Sequence, residues 1–274
     1  MTELLNQWPI VIALIGTGVF AGLLAGLFGV GGGIVIVPVL YFLLQSFGVS
    51  AESAMMIATA TSLATIVPTS ISSIRSHHAK GNVDVDLLKY WAGFILLMAV
   101  LGSLFAHYVR GNALTFMFAV IAISVSCNML FRANAPALFK QLPGKFGQSI
   151  MASMVGGLSV MIGIGGGTIG VPLLTAFNVR AYVAVGTAAV FGFLIALPGV
   201  LTLLTVGETP HDAPIGTFGL VNLPAFLLII PLTILFAPIG VKLGSKLNPK
   251  QLKRAFAIVL MLTGTRMLFQ AMGA

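Results

Sequence analysis

Long apolar segments that contain no charged residue are the feature that most limits what this chain can fold into. No Asp, Glu, Lys or Arg lies between Glu3 and Glu52, for example, and charged residues make up only 7% of the chain. About a quarter of an ordinary soluble domain is charged, and a bilayer-spanning helix needs about 20 mostly apolar residues. The chain cannot build a water-soluble surface, and we expect an all-α membrane protein with the lipid bilayer as its solvent.

The basic residues do not indicate a nucleic-acid partner, although the formal charge is +8. They lie in short clusters between apolar segments, as is typical of cytoplasmic loops. Residues 1–7 hold Glu3 and no basic residue, so we expect no cleavable signal peptide and a first apolar segment that stays in the protein. Cys127 is the only cysteine, which excludes an intrachain disulfide and a multi-thiolate metal site.

The sequence repeats itself, and the repeat defines its organisation. Gly-Val-Gly-Gly-Gly at 29–33, followed by Pro38, recurs as Gly-Ile-Gly-Gly-Gly at 163–167, followed by Pro172. We therefore predict two homologous membrane repeats joined by a basic, proline-containing linker. The predicted boundaries are 1–131 for the first repeat, 132–146 for a cytoplasmic linker and 147–274 for the second repeat.

Each repeat contains five apolar segments, and this odd number predicts that the second repeat is inverted relative to the first. If every segment reverses the chain, all Lys and Arg except Arg110 and Arg266 lie on one side. If the segments flanking each triple glycine form one broken span, the basic residues split evenly, so the positive-inside rule favours the first arrangement. The segments run about 8–28, 34–47, 53–74, 87–108, 113–131, 147–162, 168–178, 181–206, 222–243 and 252–272.

This arrangement predicts a multi-pass protein of the cell inner (plasma) membrane with both termini on the periplasmic side. The segment 168–178 has 11 residues, about 16 Å of helix, and cannot cross a hydrocarbon core of about 30 Å. Its glycine turn must lie inside the membrane, as a re-entrant or broken helix hairpin. The corresponding segment of the first repeat is also short.

Each triple glycine is a candidate anion site. Unpaired N–H groups stand at the start of a short helix, where the helix dipole favours negative charge, and successive N–H groups can form an anion-binding nest. The alternative is that the glycines only let helices cross closely. The candidate residues are Gly31, Gly32, Gly33, Gly165, Gly166 and Gly167.

A nucleotide cofactor does not fit the same glycines. The dinucleotide fingerprint requires glycine at its sixth position, where Ile34 and Thr168 stand. The histidines have no metal-site spacing, and His77 and His78 fall in a predicted basic inner loop. We expect no cofactor, no metal and, since no nucleophile, base or metal cluster is visible at membrane depth, no enzymatic activity.

These motifs resemble the TauE/SafE sulfite exporter family over essentially the whole chain. The resemblance rests on Gly-Leu-Phe-Gly-Val-Gly-Gly-Gly at 26–33 with Pro38, on its second copy at 163–172, and on Gly-Asn-Val-Asp at 81–84. It implies a transporter of small oxyanions or organosulfur anions such as sulfite, sulfoacetate or related sulfonates. It does not fix the substrate.

Hydroxyl side chains in the family pattern add candidates for substrate binding. Thr61 and Ser62 lie in a stretch that resembles the family's Ala-Thr-Ser-Leu, and Thr187 lies in its partner, which has Ala188 where serine is common. These hydroxyls are expected to donate hydrogen bonds to an oxyanion. The alternative is that they bond their own helix backbone.

Arg266 is a candidate cation within the membrane. It lies 12 residues beyond Arg254, about 18 Å along a helix, which places it in the outer half of the hydrocarbon core. Intramembrane cations often serve function, whereas the alternative is a side chain that snorkels to the outer surface. The repeat pairs Arg266 with Asn128, which we include among the candidates.

The sequence therefore predicts a secondary transporter that exports a small sulfur-containing anion by alternating access. An anion-selective channel, or an importer coupled to an ion gradient, remains an alternative. All six acidic residues lie in or beside predicted loops, which weakens a carboxylate-based proton pump. The expected partners are the small anion and the lipid bilayer, and the question of a homo-oligomer stays open.

Overall fold

The fold is almost entirely helical, as described by a computed structural model for residues 8–109, 111–131, 137–243 and 249–273. One two-residue antiparallel hairpin, β1 (Thr217–Phe218) with β2 (Val221–Asn222), precedes the ninth described helix. The helices are α1 (Trp8–Phe28), α2 (Gly33–Ser46), α3 (Ala51–His78), α4 (Val85–Tyr108), α5 (Gly111–Phe131), α6 (Lys145–Met161), α7 (Gly167–Ala176), α8 (Ala181–Thr205), α9 (Leu223–Leu243) and α10 (Pro249–Ala271).

The prediction of an all-α, multi-pass membrane protein is confirmed. Six of the described helices are long and apolar enough to cross a bilayer, namely α1, α3, α4, α5, α8 and α9. The helices that follow the glycine turns are the shortest, with 14 residues in α2 and 10 in α7. At about 1.5 Å per residue, α7 spans about half of a hydrocarbon core of about 30 Å.

The prediction that His77 lies in a basic inner loop is wrong. Helix α3 continues to His78, and the His77 side chain is buried, with Nε2 3.1 Å from the carbonyl oxygen of Gly26. The predicted segment stopped too early because Arg75 follows its last apolar residue. The helix tolerates this cation because Arg75 is exposed, close to the C-terminal end that favours positive charge.

Helices α3 and α8 form the centre of the molecule. They pack on each other, and they are the most deeply buried of the six candidate spans. Around them α1 packs along α9 and α4 packs along α6, while α3 also contacts α9 and α8 also contacts α4. Helices α5 and α10 pack together. When α1–α5 are matched in order with α6–α10, these contacts correspond in pairs. The α1–α9 contact corresponds to α6–α4, and the α3–α9 contact corresponds to α8–α4.

Side-chain caps begin the helices around this centre. The Oδ1 atom of Asp84 accepts a hydrogen bond from Leu87 N–H at 2.9 Å at the start of α4, and Asn222 Oδ1 accepts from Ala225 N–H at 3.1 Å at the start of α9. Such caps satisfy N–H groups that have no partner within the helix. Asp84 and Asn222 occupy matching positions of the two repeats.

Candidate functional site

The two glycine turns, residues 29–33 and 163–167, meet inside the molecule. Every residue of both turns is buried. A Cβ atom added to Gly33 would lie 2.5 Å from the carbonyl oxygen of Gly163, and one added to Gly165 or Gly167 would overlap backbone of the first turn. The two backbones therefore touch directly, with no side chain between them.

Several N–H groups of these turns remain unpaired. In the chain that the structure describes, the N–H groups of Gly31, Gly32, Gly165 and Gly166 have no hydrogen-bond acceptor. A buried unpaired donor costs about 1–3 kcal/mol, and each one in a native protein calls for an explanation such as a bound ligand or water. The unpaired groups lie at the starts of α2 and α7, where the helix dipoles favour an anion.

An unpartnered hydroxyl lies beside the second turn. Ser70 of α3 is 1% exposed, and its Oγ has no hydrogen-bond partner among the described residues. The point where a Cβ atom of Gly192 would stand lies 2.9 Å from Ser70 Oγ and 3.9 Å from Gly166 N. The absence of a side chain at Gly192 thus leaves the Ser70 hydroxyl and the nitrogen of an unpaired N–H group within 4 Å of the same point.

The sequence alone did not indicate Ser70 or Gly192 as site residues. A serine or glycine in an apolar segment usually bonds its own helix or allows close packing, and neither residue belongs to the repeated motif. Only the crossing of α3 and α8 brings them to the second turn.

The three hydroxyl candidates from the sequence are buried and hold the scaffold together. Thr61 Oγ1 accepts a hydrogen bond from Asn222 N–H, and Thr187 Oγ1 accepts one from Asp84 N–H, each at 2.9 Å. The Ser62 hydroxyl donates to the carbonyl oxygen of Gly163 at 2.7 Å. None of the three bonds its own helix backbone, so each side chain connects α3 or α8 to another element.

The other two candidates do not join the turns. The Arg266 guanidinium is exposed and lies over the ring of Phe42, 4.3 Å from its centroid. Phe42 is nine residues beyond Gly33, about 13 Å along α2. Asn128 is also exposed. A role for Arg266 or Asn128 in substrate binding stays a prediction, since neither residue lies at the crossing.

Negative charge is absent from the buried centre of the described chain. Glu52, Asp86, Glu208 and Asp212 are exposed, and Asp84 is half-buried at the start of α4. No group of three or more His, Cys, Asp or Glu side chains within the described ranges is placed to hold a metal ion. The crossing thus presents hydrogen-bond donors to a ligand without a nearby carboxylate to repel an anion.

Asp212 anchors the loop between α8 and β1 to the start of α3. Its Oδ2 accepts a hydrogen bond from Ser50 N–H at 2.8 Å. Hydrogen bonding from the Ser53 side chain, and then from Ser50 N–H, lowers the pKa of Asp212 from 3.8 to about 2. The carboxylate therefore helps to hold the loop above about pH 4, and this contribution is lost as the pH falls toward 2.

We expect Asp212→Ala to release this loop. At pH 7, the backbone amide of Ser50 should exchange faster in the variant than in the parent. In the parent, after correction for the intrinsic exchange rate, this faster exchange should appear only below about pH 4. Glu208→Ala, in the same loop, is the control, because Glu208 forms no hydrogen bond or ion pair within the described chain. Equal protection in Asp212→Ala and the parent at pH 7 would show that the anchor has no effect.

Comparison with known proteins identifies the family. The TauE/SafE sulfite exporter profile matches residues 14–267. A "Probable membrane transporter protein" of Haemophilus influenzae is 32% identical, covering 91% of this chain and 95% of the relative. One of Methanocaldococcus jannaschii is 27% identical, covering 97% of both chains. No solved structure matches. The chain is a membrane transporter and not an enzyme, and it belongs to the TauE/SafE sulfite exporter family.

Proposed function

We propose that this transporter exports a small sulfur-containing oxyanion or organosulfonate, such as sulfite or sulfoacetate, which binds at the crossed glycine turns. The observation that carries the proposal is the set of buried, unpaired N–H groups at Gly31, Gly32, Gly165 and Gly166. Oxyanions present several acceptor oxygens in a compact group, and backbone N–H groups at helix starts bind such groups widely.

The charge distribution supports an anion over a cation. A cation site inside a membrane protein needs carboxylates or a cluster of carbonyl oxygens. The described carboxylates lie at the surface or at a helix start. The crossing contains the carbonyl oxygens of Gly29, Val30 and Gly163, but its unpaired groups are N–H donors and the Ser70 hydroxyl. Without a full positive charge beside it, an anion would be held weakly enough to leave again, as transport requires.

We further propose that residues 1–131 and 147–274 are inverted repeats that give alternating access around the crossing. The matched contacts support this arrangement, because α1 packs along α9 as α4 packs along α6. The hydrogen bonds from Asn222 to Thr61 and from Asp84 to Thr187 form a second matched pair. Rocking of one repeat against the other would expose the crossing to each side in turn.

The proposed orientation places both termini in the periplasm and the basic loops in the cytoplasm. In the inner membrane a monoanion that leaves the cell then gains about 2.3 kcal/mol per 100 mV from the membrane potential. Export therefore requires no other energy source, whereas import of the same anion would need a coupled ion.

A thermal-shift screen of the purified protein tests the substrate class. Sulfite, sulfate, thiosulfate, sulfoacetate, taurine and acetate are compared at equal ionic strength, with chloride as the control. A ligand at 100 times its Kd stabilises the folded state by about 2.7 kcal/mol, so sulfite or sulfoacetate should raise the unfolding temperature more than acetate or chloride. Absence of a shift with every sulfur-containing anion would contradict the proposal.

A further inference from the structure

Three unpartnered polar atoms lie on one face of α3. Thr59 Oγ1, Ser70 Oγ and His77 Nδ1 have no hydrogen-bond partner in the described chain, and the side chains are 2%, 1% and 4% exposed. Ser70 is eleven positions after Thr59 and His77 is seven positions after Ser70, which correspond to about three and about two helical turns. The three side chains therefore form a stripe along the buried helix.

This stripe passes both glycine turns. Thr59 contacts the second turn, where a Cβ atom of Gly163 would lie 2.7 Å from Thr59 Cα. Ile66, seven residues after Thr59, lies on the same face and contacts the first turn. Its side chain is 3.0 Å and 2.9 Å from the points where Cβ atoms of Gly31 and Gly33 would stand. An aliphatic side chain thus separates the hydroxyls of Thr59 and Ser70 at the crossing.

Within α3 the missing hydrogen bonds are confined to this face, although Ser159 Oγ of α6 and Thr168 Oγ1 of α7 also lack a partner in the described chain. Buried hydroxyls in membrane helices usually donate to a carbonyl of their own helix, and two others on α3 do so. Thr65 Oγ1 donates to Ser62 O, and Thr69 Oγ1 donates to Thr65 O, each at 2.7 Å. Helical spacing places Thr65 and Thr69 away from the stripe.

Helix α8 has no equivalent stripe. Gly29 contacts Val185 as Gly163 contacts Thr59, which matches Val185 with Thr59. The same alignment puts Gly192 at the position of Ile66, Ala196 at that of Ser70 and Leu203 at that of His77. These positions carry no hydrogen-bonding side chain, so α8 lacks the polar stripe that α3 has.

We propose that the Thr59–Ser70–His77 face of α3 is the path of the transported anion. This inference rests on the proposed function. The hydroxyls of Thr59 and Ser70 donate hydrogen bonds to the anion on opposite sides of the crossing, and Ile66 is the gate between them. A dry aliphatic constriction stops an anion because the ion cannot shed its water there. Movement of Ile66 away from the glycine turns would join the two sides.

Flux of radiolabelled sulfite into proteoliposomes tests the hydroxyls. Loss of one hydrogen bond to the anion should slow transport about tenfold, so Thr59→Val and Ser70→Ala are each expected to show this loss. Thr65→Val and Ser103→Ala are the matched controls, because each removes a buried hydroxyl that bonds its own helix. Transport at the parental rate in both test variants would overturn the proposal.

Removal of the aliphatic side chain tests the gate. Ile66→Ala is expected to raise passive sulfite leakage at least about tenfold, since a wetted constriction no longer excludes the ion. Ile57→Ala is the control, because Ile57 is a buried isoleucine on the opposite face of α3. If Ile66→Ala, Ile57→Ala and the parent all leak sulfite at the same rate, Ile66 is not the gate.

Thiol labelling tests the proposed path independently of which anion is transported. In a Cys127→Ser background, Thr59→Cys and Ser70→Cys should react with a membrane-impermeant anionic thiosulfonate from opposite faces of the membrane, whereas Ser103→Cys should not react. If the cysteines react but the protein does not transport sulfite, the proposed substrate is refuted, while the proposed path along α3 is supported. If the protein transports sulfite but Thr59→Cys and Ser70→Cys do not react, although both retain the parental unfolding temperature, the anion does not pass along this face of α3.

Discussion

Substitution of Gly167 by alanine is expected to prevent the two glycine turns from meeting. The added methyl group would overlap the carbonyl oxygen of Gly29, which is backbone and cannot rotate away. Overpacking of a core usually costs about 1–3 kcal/mol, and a collision between two buried backbones should exceed that range. We expect a lower unfolding temperature and a smaller folded fraction after extraction in detergent.

Gly93→Ala is the matched control for Gly167→Ala. Gly93 lies in α4, is exposed, and has no atom within 4 Å of the point where its Cβ atom would stand. The control should unfold at the parental temperature or slightly above it, because alanine favours a helix more than glycine does. If Gly167→Ala unfolds at the same temperature as Gly93→Ala, the backbones of the two turns are not in contact.

Replacement of Thr61 and Thr187 by valine should destabilise the fold at two matched places. Each valine removes the acceptor for a backbone N–H, that of Asn222 for Thr61 and that of Asp84 for Thr187. A donor left unpaired at such a site costs about 1–3 kcal/mol. The double variant should lose about the sum, because the two hydrogen bonds share no partner. Thermal unfolding of both single variants and the double variant measures these losses.

Thr17→Val controls for the loss of a buried hydroxyl. The Thr17 hydroxyl donates to Ala13 O four residues earlier in its own helix, at 2.6 Å. That carbonyl can keep its helical hydrogen bond, so we expect a smaller loss than for Thr61→Val. Equal unfolding temperatures for Thr61→Val and Thr17→Val would show that the hydrogen bond from Asn222 N–H to Thr61 contributes little stability.

The length and apolarity of the segments predicted most of the helices. Each predicted segment overlaps one described helix, because a charge-free apolar segment in a bilayer has few alternatives to a helix. The largest departure is the C-terminal end of α3, where Arg75 and the two histidines indicated a loop. A helix can extend through polar residues when the neighbouring chain offers partners, as Gly26 does for His77.

The sequence indicated the glycine turns but not their immediate neighbours. The repeated motif singled out Gly31–Gly33 and Gly165–Gly167, and their spacing predicted the unpaired N–H groups. The hydrogen-bond partners of Thr61 and Thr187 lie just before the starts of other helices, more than 100 residues away in the chain. Local spacing carries no information about such partners, and the same holds for Ser70, which faces the second turn only because α3 and α8 cross.

The two halves differ in their central helices, α3 and α8. Ser62 donates a hydrogen bond to Gly163 O, whereas the matching residue of the second half is Ala188, which has no hydroxyl. The unpartnered Ser70 likewise matches Ala196. Between the two central helices the hydrogen bonds of Thr61 and Thr187 are thus duplicated, while the unpartnered hydroxyls lie on α3 and not on α8. This difference fits the proposed path along α3.

Sulfite efflux from proteoliposomes under an imposed membrane potential tests anion transport most directly. We expect a saturable efflux that accelerates when the interior is made negative, since each 100 mV contributes about 2.3 kcal/mol for a monoanion. We also expect external unlabelled sulfite to speed the exit of labelled sulfite, as a carrier exchanges its substrate. A release of labelled sulfite no faster than that from protein-free liposomes, at every potential and with external sulfite present, would contradict sulfite transport by this protein.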